Sequence, residues 1–245
     1  MLRLRQDPTL IQARVRGVPI QIHASAMLLP AMAGLAGSIS GGLRGALFLS
    51  GFLVLLNFCG ALHEAGHAGM ARLLGHRVTR VRMSGVGMYV QVSHPANAGR
   101  WDELLIASGG PVCTALLTAC LGWASLPALA ARGLLIVADR DAMAMLAILA
   151  GSNLLLTVFN LLPVPPMDGA HMLGALLAVY LRPAQASRLV STFGQATIIA
   201  ILLVAVALGA NLLILGTVWF ACATLFILSY RTRHARPAMS QVNAG

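Results

Sequence analysis

Residues 60–70 read GALHEAGHAGM and place His63, Glu64 and His67 within an apolar run that extends over residues 43–74. Titratable side chains are costly in hydrocarbon, so those found within an apolar span generally serve a function. On a helix, His63 and His67 lie one turn apart on the same face, where both can reach one metal ion. This stretch therefore predicts a membrane-spanning helix that carries a metal site.

The composition of the whole chain also indicates a membrane protein. The 245 residues are 58% hydrophobic and 10% charged, with a mean hydropathy of +0.81, whereas soluble domains are about 25% charged. All 17 basic residues are Arg, and the net charge is +10. These Arg lie in short segments between apolar runs, which argues against a basic nucleic-acid-binding face and indicates membrane orientation instead. The four Cys lie in apolar runs without CxxC spacing and are expected to be reduced packing thiols.

The hydropathy pattern predicts an all-α polytopic membrane protein with about six transmembrane helices. A small membrane-associated β-hairpin is predicted over residues 78–92, between spans two and three, because the polar and apolar residues partly alternate there. Residues 163–186 begin with a Pro-rich break and continue as a short apolar helix. We expect one domain over residues 1–245, with a catalytic core over about 43–180, while the first span and the last two spans (187–230) are accessory. The predicted spans cover residues 23–41, 43–74, 102–131, 141–162, 187–209 and 211–230.

The distribution of Arg predicts the orientation of these spans. If the N-terminus is cytoplasmic, 14 of the 17 Arg fall in inner segments and 3 in outer segments. Cytoplasmic loops carry an excess of positive charge in membrane proteins. The pattern therefore predicts that both termini are cytoplasmic.

The spacing of His63, Glu64 and His67 is the HExxH pattern of zinc hydrolases. Glu64 lies beside the ligand face, where its carboxylate can deprotonate a water molecule without binding the metal. Chance predicts roughly 0.002 occurrences of this pattern in a chain of this composition. The alternative is a pair of structural helix histidines beside a buried Glu, which would cost several kcal/mol at this depth.

A catalytic zinc site needs a third protein ligand, for which Asp168 is the first candidate. It lies in NLLPVPPMDG, residues 160–169, where three Pro break the helix and place the carboxylate on irregular backbone. Such backbone occurs at membrane depth only when it is buried in protein or lines a wet cavity. Two alternatives stay open: Asp168 could cap the following helix, or the third ligand could be His76 or His94, which lie between spans two and three.

Small residues flank the HExxH pattern. Gly60, Gly66 and Gly69 are expected to let neighbouring helices approach closely, because helix association in a membrane depends on close packing. We assign them a packing role and no catalytic one.

The two motifs together resemble the site-2 protease family of intramembrane zinc metalloproteases. SGGP at residues 108–111 is similar to the Gly-Pro element of that family's central core helix, and the hairpin is similar to its membrane-associated β segment. The resemblance implies one zinc ion per chain, held by His63, His67 and Asp168, with Glu64 as the general base. It also implies hydrolysis of peptide bonds in or near the transmembrane helices of membrane-bound substrates.

The resemblance also implies a setting and two further residues. Asn160 opens the second motif and is expected to position the substrate backbone, with two alternatives: it could orient the Pro-rich turn or be only a local turn residue. Thr114 stands where family members usually have Asn and is a further candidate for positioning the substrate backbone. The expected partner is a single-span membrane protein in the lipid bilayer, with no role for nucleic acid. The Arg-only, Ala- and Leu-rich chain is typical of a bacterium, so the expected location is the inner membrane.

Two other function classes fit parts of the pattern. A metal transporter or sensor would use His63, His67 and Asp168 as a transit site, but such sites usually have polar or charged groups in several spans. An inactive scaffold that binds transmembrane helices would have no need of Glu64. The sequence therefore favours a zinc metalloendopeptidase, and it does not define the substrate or the cleavage site.

Overall fold

The chain contains two compact units, Met1–Val158 and Phe159–Gly245. The first unit holds a four-stranded sheet and the helices that carry HExxH and SGGP, and the second holds the Pro-rich motif and two further helices. The predicted sixth span, residues 211–230, lies outside the described residues. The computed structural model describes residues 9–15, 17–84, 87–93, 95, 99, 101–133, 136 and 140–207.

Helix α1, Leu28–Leu73, is broken in the middle and turns back on itself. Its 46 residues would extend about 69 Å if straight, more than twice the roughly 30 Å hydrocarbon core of a bilayer. The break lies at Gly41 and Gly42, and Gly42 has φ +57°, a conformation that residues with a Cβ rarely adopt. A Cβ on Gly37 would collide with the backbone of Gly45, so the two halves of α1 lie against each other. The break falls between the first two predicted spans.

The sheet has four strands, two more than the sequence predicted. Strands β3 (Arg77–Ser84) and β4 (Gly87–Ser93) form the predicted hairpin, while β1 (Thr9–Val15) and β2 (Val18–His23) form a second hairpin that was missed. β2 pairs in parallel with β3, which gives the order β1-β2-β3-β4. That this hairpin joins the same sheet could not be read from local pattern, because the parallel pair of β2 and β3 joins segments separated by the whole of α1.

The sheet packs on the half of α1 that follows the break. Val18 of β2 and Val78 of β3 form a buried cluster with Ala71 of α1, and Val81 and Val90 pack around it. This apolar contact holds the sheet beside the helix that carries HExxH.

Helix α2, Asp102–Arg132, crosses α1 at a pair of glycines. A Cβ on Gly66 would collide with the carbonyl oxygen of Gly109, and a Cβ on Gly109 would lie 2.5 Å from the carbonyl oxygen of Gly66. The two backbones therefore touch without side chains between them, as small residues permit. The packing prediction is confirmed for Gly66. Gly60 instead faces a methionine of β4, and among the described residues nothing comes within 4 Å of a Cβ on Gly69.

Helix α3, Ala142–Asn160, begins at a capped end. Asp141 accepts a hydrogen bond from the Ala144 amide at 2.8 Å and forms an ion pair with Arg132 at 2.6 Å. The Ala144 amide first, and then the Arg132 guanidinium, hold the pKa of the Asp141 carboxyl below its ordinary value. An ionised carboxylate thus connects the end of α2 to the start of α3.

The second unit contains helices α4 (Asp168–Ala178) and α5 (Pro183–Ala207). Helix α5 packs closely on the Pro-rich segment, since a Cβ on Gly194 would lie 3.0 Å from the carbonyl oxygen of Pro163. The short helix predicted after the Pro-rich break is therefore present as α4, and α5 corresponds to the predicted fifth span, 187–209.

The described helices are suited to a membrane. Large apolar side chains are exposed along them, including Ile39 at 84% and Trp123 at 78%, and soluble monomers rarely expose apolar surface on this scale. The chain is an integral membrane protein, mostly helical, with a small sheet. Four helical segments are long and apolar enough to cross a bilayer, namely 24–73, which contains the break in α1, 102–132, 142–160 and 183–207.

Candidate metal centre

The ring nitrogens of His63 and His67 converge on one face of α1. The two Nε2 atoms are 3.1 Å apart, and the rings meet edge to face with their centroids 4.8 Å apart. Two nitrogens that each bind one tetrahedral zinc ion at about 2.0–2.1 Å lie roughly 3.3 Å from each other. The observed separation is therefore close to the one that a shared zinc ion requires.

The backbone of α2 fixes the orientation of His67. Its Nδ1 lies 2.8 Å from the carbonyl oxygen of Ile106 and 3.3 Å from the amide nitrogen of Gly110. The shorter contact is to a group that can only accept, so we assign the hydrogen to Nδ1. A neutral imidazole with its hydrogen on Nδ1 has its lone pair on Nε2, the atom that faces His63. Metal-binding histidines usually donate their second N–H to a backbone carbonyl or a carboxylate in this way.

The next turn of α2 leaves space for both imidazoles. A Cβ on Gly110 would lie 2.6 Å from Nε2 of His63 and closer still to Nε2 of His67. His63 itself is buried, with 5% of its surface exposed. The two donors thus face a small cradle lined by backbone, which a side chain at position 110 would fill. The donor set and the space fit a zinc ion.

Glu64 lies beside the two histidines and is half-buried. At about 100° per residue, it is displaced around the helix by about 100° from His63 and about 60° from His67. This offset places Glu64 next to the ligand pair and outside it.

Asp168 and Asn160 belong to the second unit. Asp168 is the first residue of α4 and is half-buried, and the N-cap position is occupied by Met167. The N-cap of α4 is thus one residue before Asp168. The turn that carries it is tight, because a Cβ on Gly169 would collide with the carbonyl oxygen of Leu161. A carboxylate in the first turn of a helix is also favoured by the helix dipole.

The similarity to known proteins covers both sequence and fold. Residues 127–204, which include Asp168, match peptidase family M50. A zinc metalloprotease of Methanocaldococcus jannaschii is 26% identical over 196 residues, or 78% of this chain and 52% of that protein. The site-2 protease from Methanocaldococcus jannaschii shares the fold, with a TM-score of 0.59 and 20% identity over 92% of this chain and 96% of that one. The chain is therefore similar to peptidase family M50 in sequence and to a site-2 protease in fold. It spans about half the length of the curated relative that it matches.

Thr114, which stands where site-2 proteases usually have Asn, is fully buried. Thr114 lies in α2, and its hydroxyl lies 3.2 Å from the carbonyl oxygen of Gly110 and 3.1 Å from that of Pro111, to which it donates. Thr114 is thus one helical turn from the cradle beside the histidines. The substrate-positioning roles of Thr114 and Asn160 stay predictions.

The alternative third ligands lie elsewhere in the chain. Nε2 of His76 lies 2.8 Å from Oδ2 of Asp102, and the His76 side chain is fully buried. The pair joins the end of α1 to the start of α2, so His76 is already engaged with a carboxylate. His94 lies outside the described residues. Asp168 is therefore the preferred candidate of the three.

Sequence reasoning missed two parts of the centre, the Ile106 carbonyl and Gly110. A backbone carbonyl is common to every residue type, so no sequence signal marks Ile106. For Gly110 a signal was present, because two consecutive glycines in a helix interior cost about 1 kcal/mol each relative to Ala and usually have a packing or functional reason.

Proposed function

We propose that the chain is an intramembrane zinc metalloprotease that hydrolyses peptide bonds in or near the transmembrane helices of membrane-bound substrates. The observation that carries this proposal is the convergence of the His63 and His67 Nε2 atoms, with His67 held in the metal-binding tautomer by Ile106. The activity of the zinc metalloprotease relative supports it.

One zinc ion per chain binds Nε2 of His63, Nε2 of His67 and the carboxylate of Asp168. Imidazole and carboxylate are both common zinc ligands, and three protein ligands leave one position open, as catalytic zinc sites require. When bound there, zinc lowers the pKa of water to about 7 and polarises a carbonyl group.

Glu64 is the general base of the reaction. Its carboxylate accepts a proton from the attacking water and then delivers that proton to the nitrogen of the leaving amine. The hydroxyl of the water becomes part of the new carboxyl group, so one water is consumed for each peptide bond. The position of Glu64 beside the ligand pair, and outside it, supports this role.

The substrate is a single-span membrane protein whose scissile segment is unwound. Among the described strands, β4 is at an edge of the sheet, where an extended backbone can pair. A cavity of about 690 Å³ lies between α1 and the sheet and is lined by alanines of α1 and valines of the sheet. Ala65, which follows Glu64 in the sequence, is one of its lining residues. Asn160 and Thr114 position the same substrate backbone.

The chain crosses the inner membrane of a bacterium six times, with both termini in the cytoplasm. Strand β2 precedes α1, strand β3 follows it, and the two strands pair. The two ends of α1 therefore lie on one side of the membrane, which supports two crossings within α1. The excess of Arg in the inner segments supports the orientation. His63 lies about 15 Å before the end of α1, so water reaches it through a polar path from the cytoplasmic side.

The test of this function is Glu64→Gln, which keeps the shape of the side chain but cannot accept a proton at neutral pH. We expect it to lower cleavage by at least about 10²–10⁴-fold, the contribution of general acid–base catalysis, with zinc content unchanged. The matched control is Glu103→Gln, since Glu103 is the other Glu of the chain and is exposed near the start of α2. Fragments of co-expressed single-span membrane proteins are compared by mass spectrometry.

Undiminished cleavage by the Glu64→Gln variant would show that Glu64 is not the base. The same variant separates the other function classes, because a metal transporter would keep most of its flux and a helix-binding scaffold most of its binding without this carboxylate.

A further inference from the structure

We infer that Gly110 is part of the metal site, because its missing side chain allows His63 and His67 to converge on one ion. The inference rests on the proposed zinc function. It makes Gly110 a positioning residue, which holds neither the metal nor the substrate and acts through the two imidazoles.

The surroundings of Gly110 point to the two rings and not to the crossing of the helices. The three heavy atoms nearest to a Cβ at this position are Nε2 of His67, Nε2 of His63 and Cε1 of His67. The preceding residue differs, since a Cβ on Gly109 would meet the backbone of Gly66 and the side chain of Met70. Of these two consecutive glycines, Gly109 permits the crossing of α1 and α2, and Gly110 permits the pair of imidazoles.

A methyl group at position 110 could not be accommodated without disturbing the donors. Carbon and nitrogen atoms that are not bonded pack at about 3.5–4.0 Å, whereas this Cβ would lie 2.6 Å from Nε2 of His63. That distance is only slightly longer than the roughly 2.0–2.1 Å of a zinc–nitrogen bond. The methyl group would therefore occupy the metal position or force the two nitrogens apart.

The rings have little freedom to retreat from such a methyl group. His67 is held through its Nδ1 by the Ile106 carbonyl, one turn earlier on the same helix as Gly110, and His63 is buried. The distance between Gly110 and the imidazoles is thus set by α2 itself. The space on the metal side of the histidines depends on position 110 having no side chain.

The experiment compares Gly110→Ala with Gly122→Ala, both in the full chain purified in detergent. Gly122 lies on the same helix and, among the described residues, nothing comes within 4 Å of a Cβ there, so it controls for a helical Gly→Ala change. Zinc affinity is measured by competition with a chelator, and the visible spectrum of the cobalt-loaded protein reports the ligand geometry. We expect Gly110→Ala to weaken zinc binding at least about tenfold, the lower range for loss of an outer supporting group, and to alter the cobalt spectrum. We expect Gly122→Ala to match the wild type.

A second measurement keeps the inference testable if Gly110→Ala unfolds. The substitution is also made in a His63→Ala/His67→Ala background, and thermal unfolding is followed in both backgrounds without metal. We expect Gly110→Ala to lower Tm only where the imidazoles are present. Equal destabilisation in both backgrounds, or zinc affinity and a cobalt spectrum like those of the wild type, would overturn the inference. A wild-type chain that binds no zinc would instead overturn the proposed function.

Discussion

At the scale of single residues, the backbone of α2 orients the imidazole of His67. Its Nδ1–H donates to the Ile106 carbonyl, which fixes both the tautomer and the direction of the Nε2 lone pair. A ligand that is already ordered loses less conformational entropy on binding, so affinity increases without a new contact. The HExxH spacing predicts that the two histidines converge, because residues four apart lie on the same face of a helix. It does not predict the carbonyl, which belongs to another helix.

Zinc content tests the three ligands one at a time. We expect His63→Ala, His67→Ala and Asp168→Ala each to weaken zinc binding by more than the 10–100-fold that loss of an outer-shell group typically costs, because each removes a direct bond to the metal. Metal per chain is measured by elemental analysis after purification in detergent. Asp141→Ala is the carboxylate control, since Asp141 lies at the start of α3, and it is expected to keep full zinc. If Asp168→Ala also keeps full zinc, the third ligand is a different residue.

At the scale of elements, the crossing of α1 and α2 brings the Ile106–Gly110 turn against the histidines. The contact between the Gly66 and Gly109 backbones sets how closely the two helices approach. The sequence predicted that glycines near HExxH would serve packing, but it could not say which of them faces a helix. That depends on which side of α1 the sheet covers, and the sheet includes two N-terminal strands that local pattern does not connect to it.

Gly66→Ala and Gly69→Ala form a matched pair, three residues apart on one helix. Gly66→Ala is expected to destabilise the protein by roughly 1–3 kcal/mol, because the added Cβ overpacks a close contact. Gly69→Ala has open space and is expected to be neutral or stabilising by up to about 1 kcal/mol, because Ala favours the helix. Thermal unfolding in detergent measures both. Equal effects of the two substitutions would contradict the assigned crossing.

At the scale of the whole molecule, much of the architecture could be predicted from the sequence. Apolar runs predicted α2, α3 and α5 to within a few residues, and the Gly pair at 41–42 separates the first two spans. The role of Asp168 was harder to assign, because a Pro-rich turn looks alike whether its Asp binds a metal or caps a helix. Only the combination with HExxH favoured the ligand.

Reporter fusions test the orientation of the spans. A fusion after residue 136 should report the outer side of the membrane, and fusions after residue 92 or residue 235 should report the cytoplasm, because the inner segments carry most of the Arg. Paired reporters that are active on opposite sides of the membrane make the measurement. A cytoplasmic signal at residue 136 would contradict the six-span topology, and with it the side from which water is proposed to reach His63.

The parallel pairing of β2 with β3 also imposes an order in time on biosynthesis. Strand β2 ends at His23 and its partner begins at Arg77, so at about 5–20 residues per second the ribosome needs roughly 3–10 s to supply the missing strand. During that interval the N-terminal hairpin waits at the membrane surface with an unpaired edge, which is a risk for aggregation. In the proposed topology, the sheet closes only after both halves of α1 have been inserted and the chain has returned, so its formation would mark the completion of that insertion.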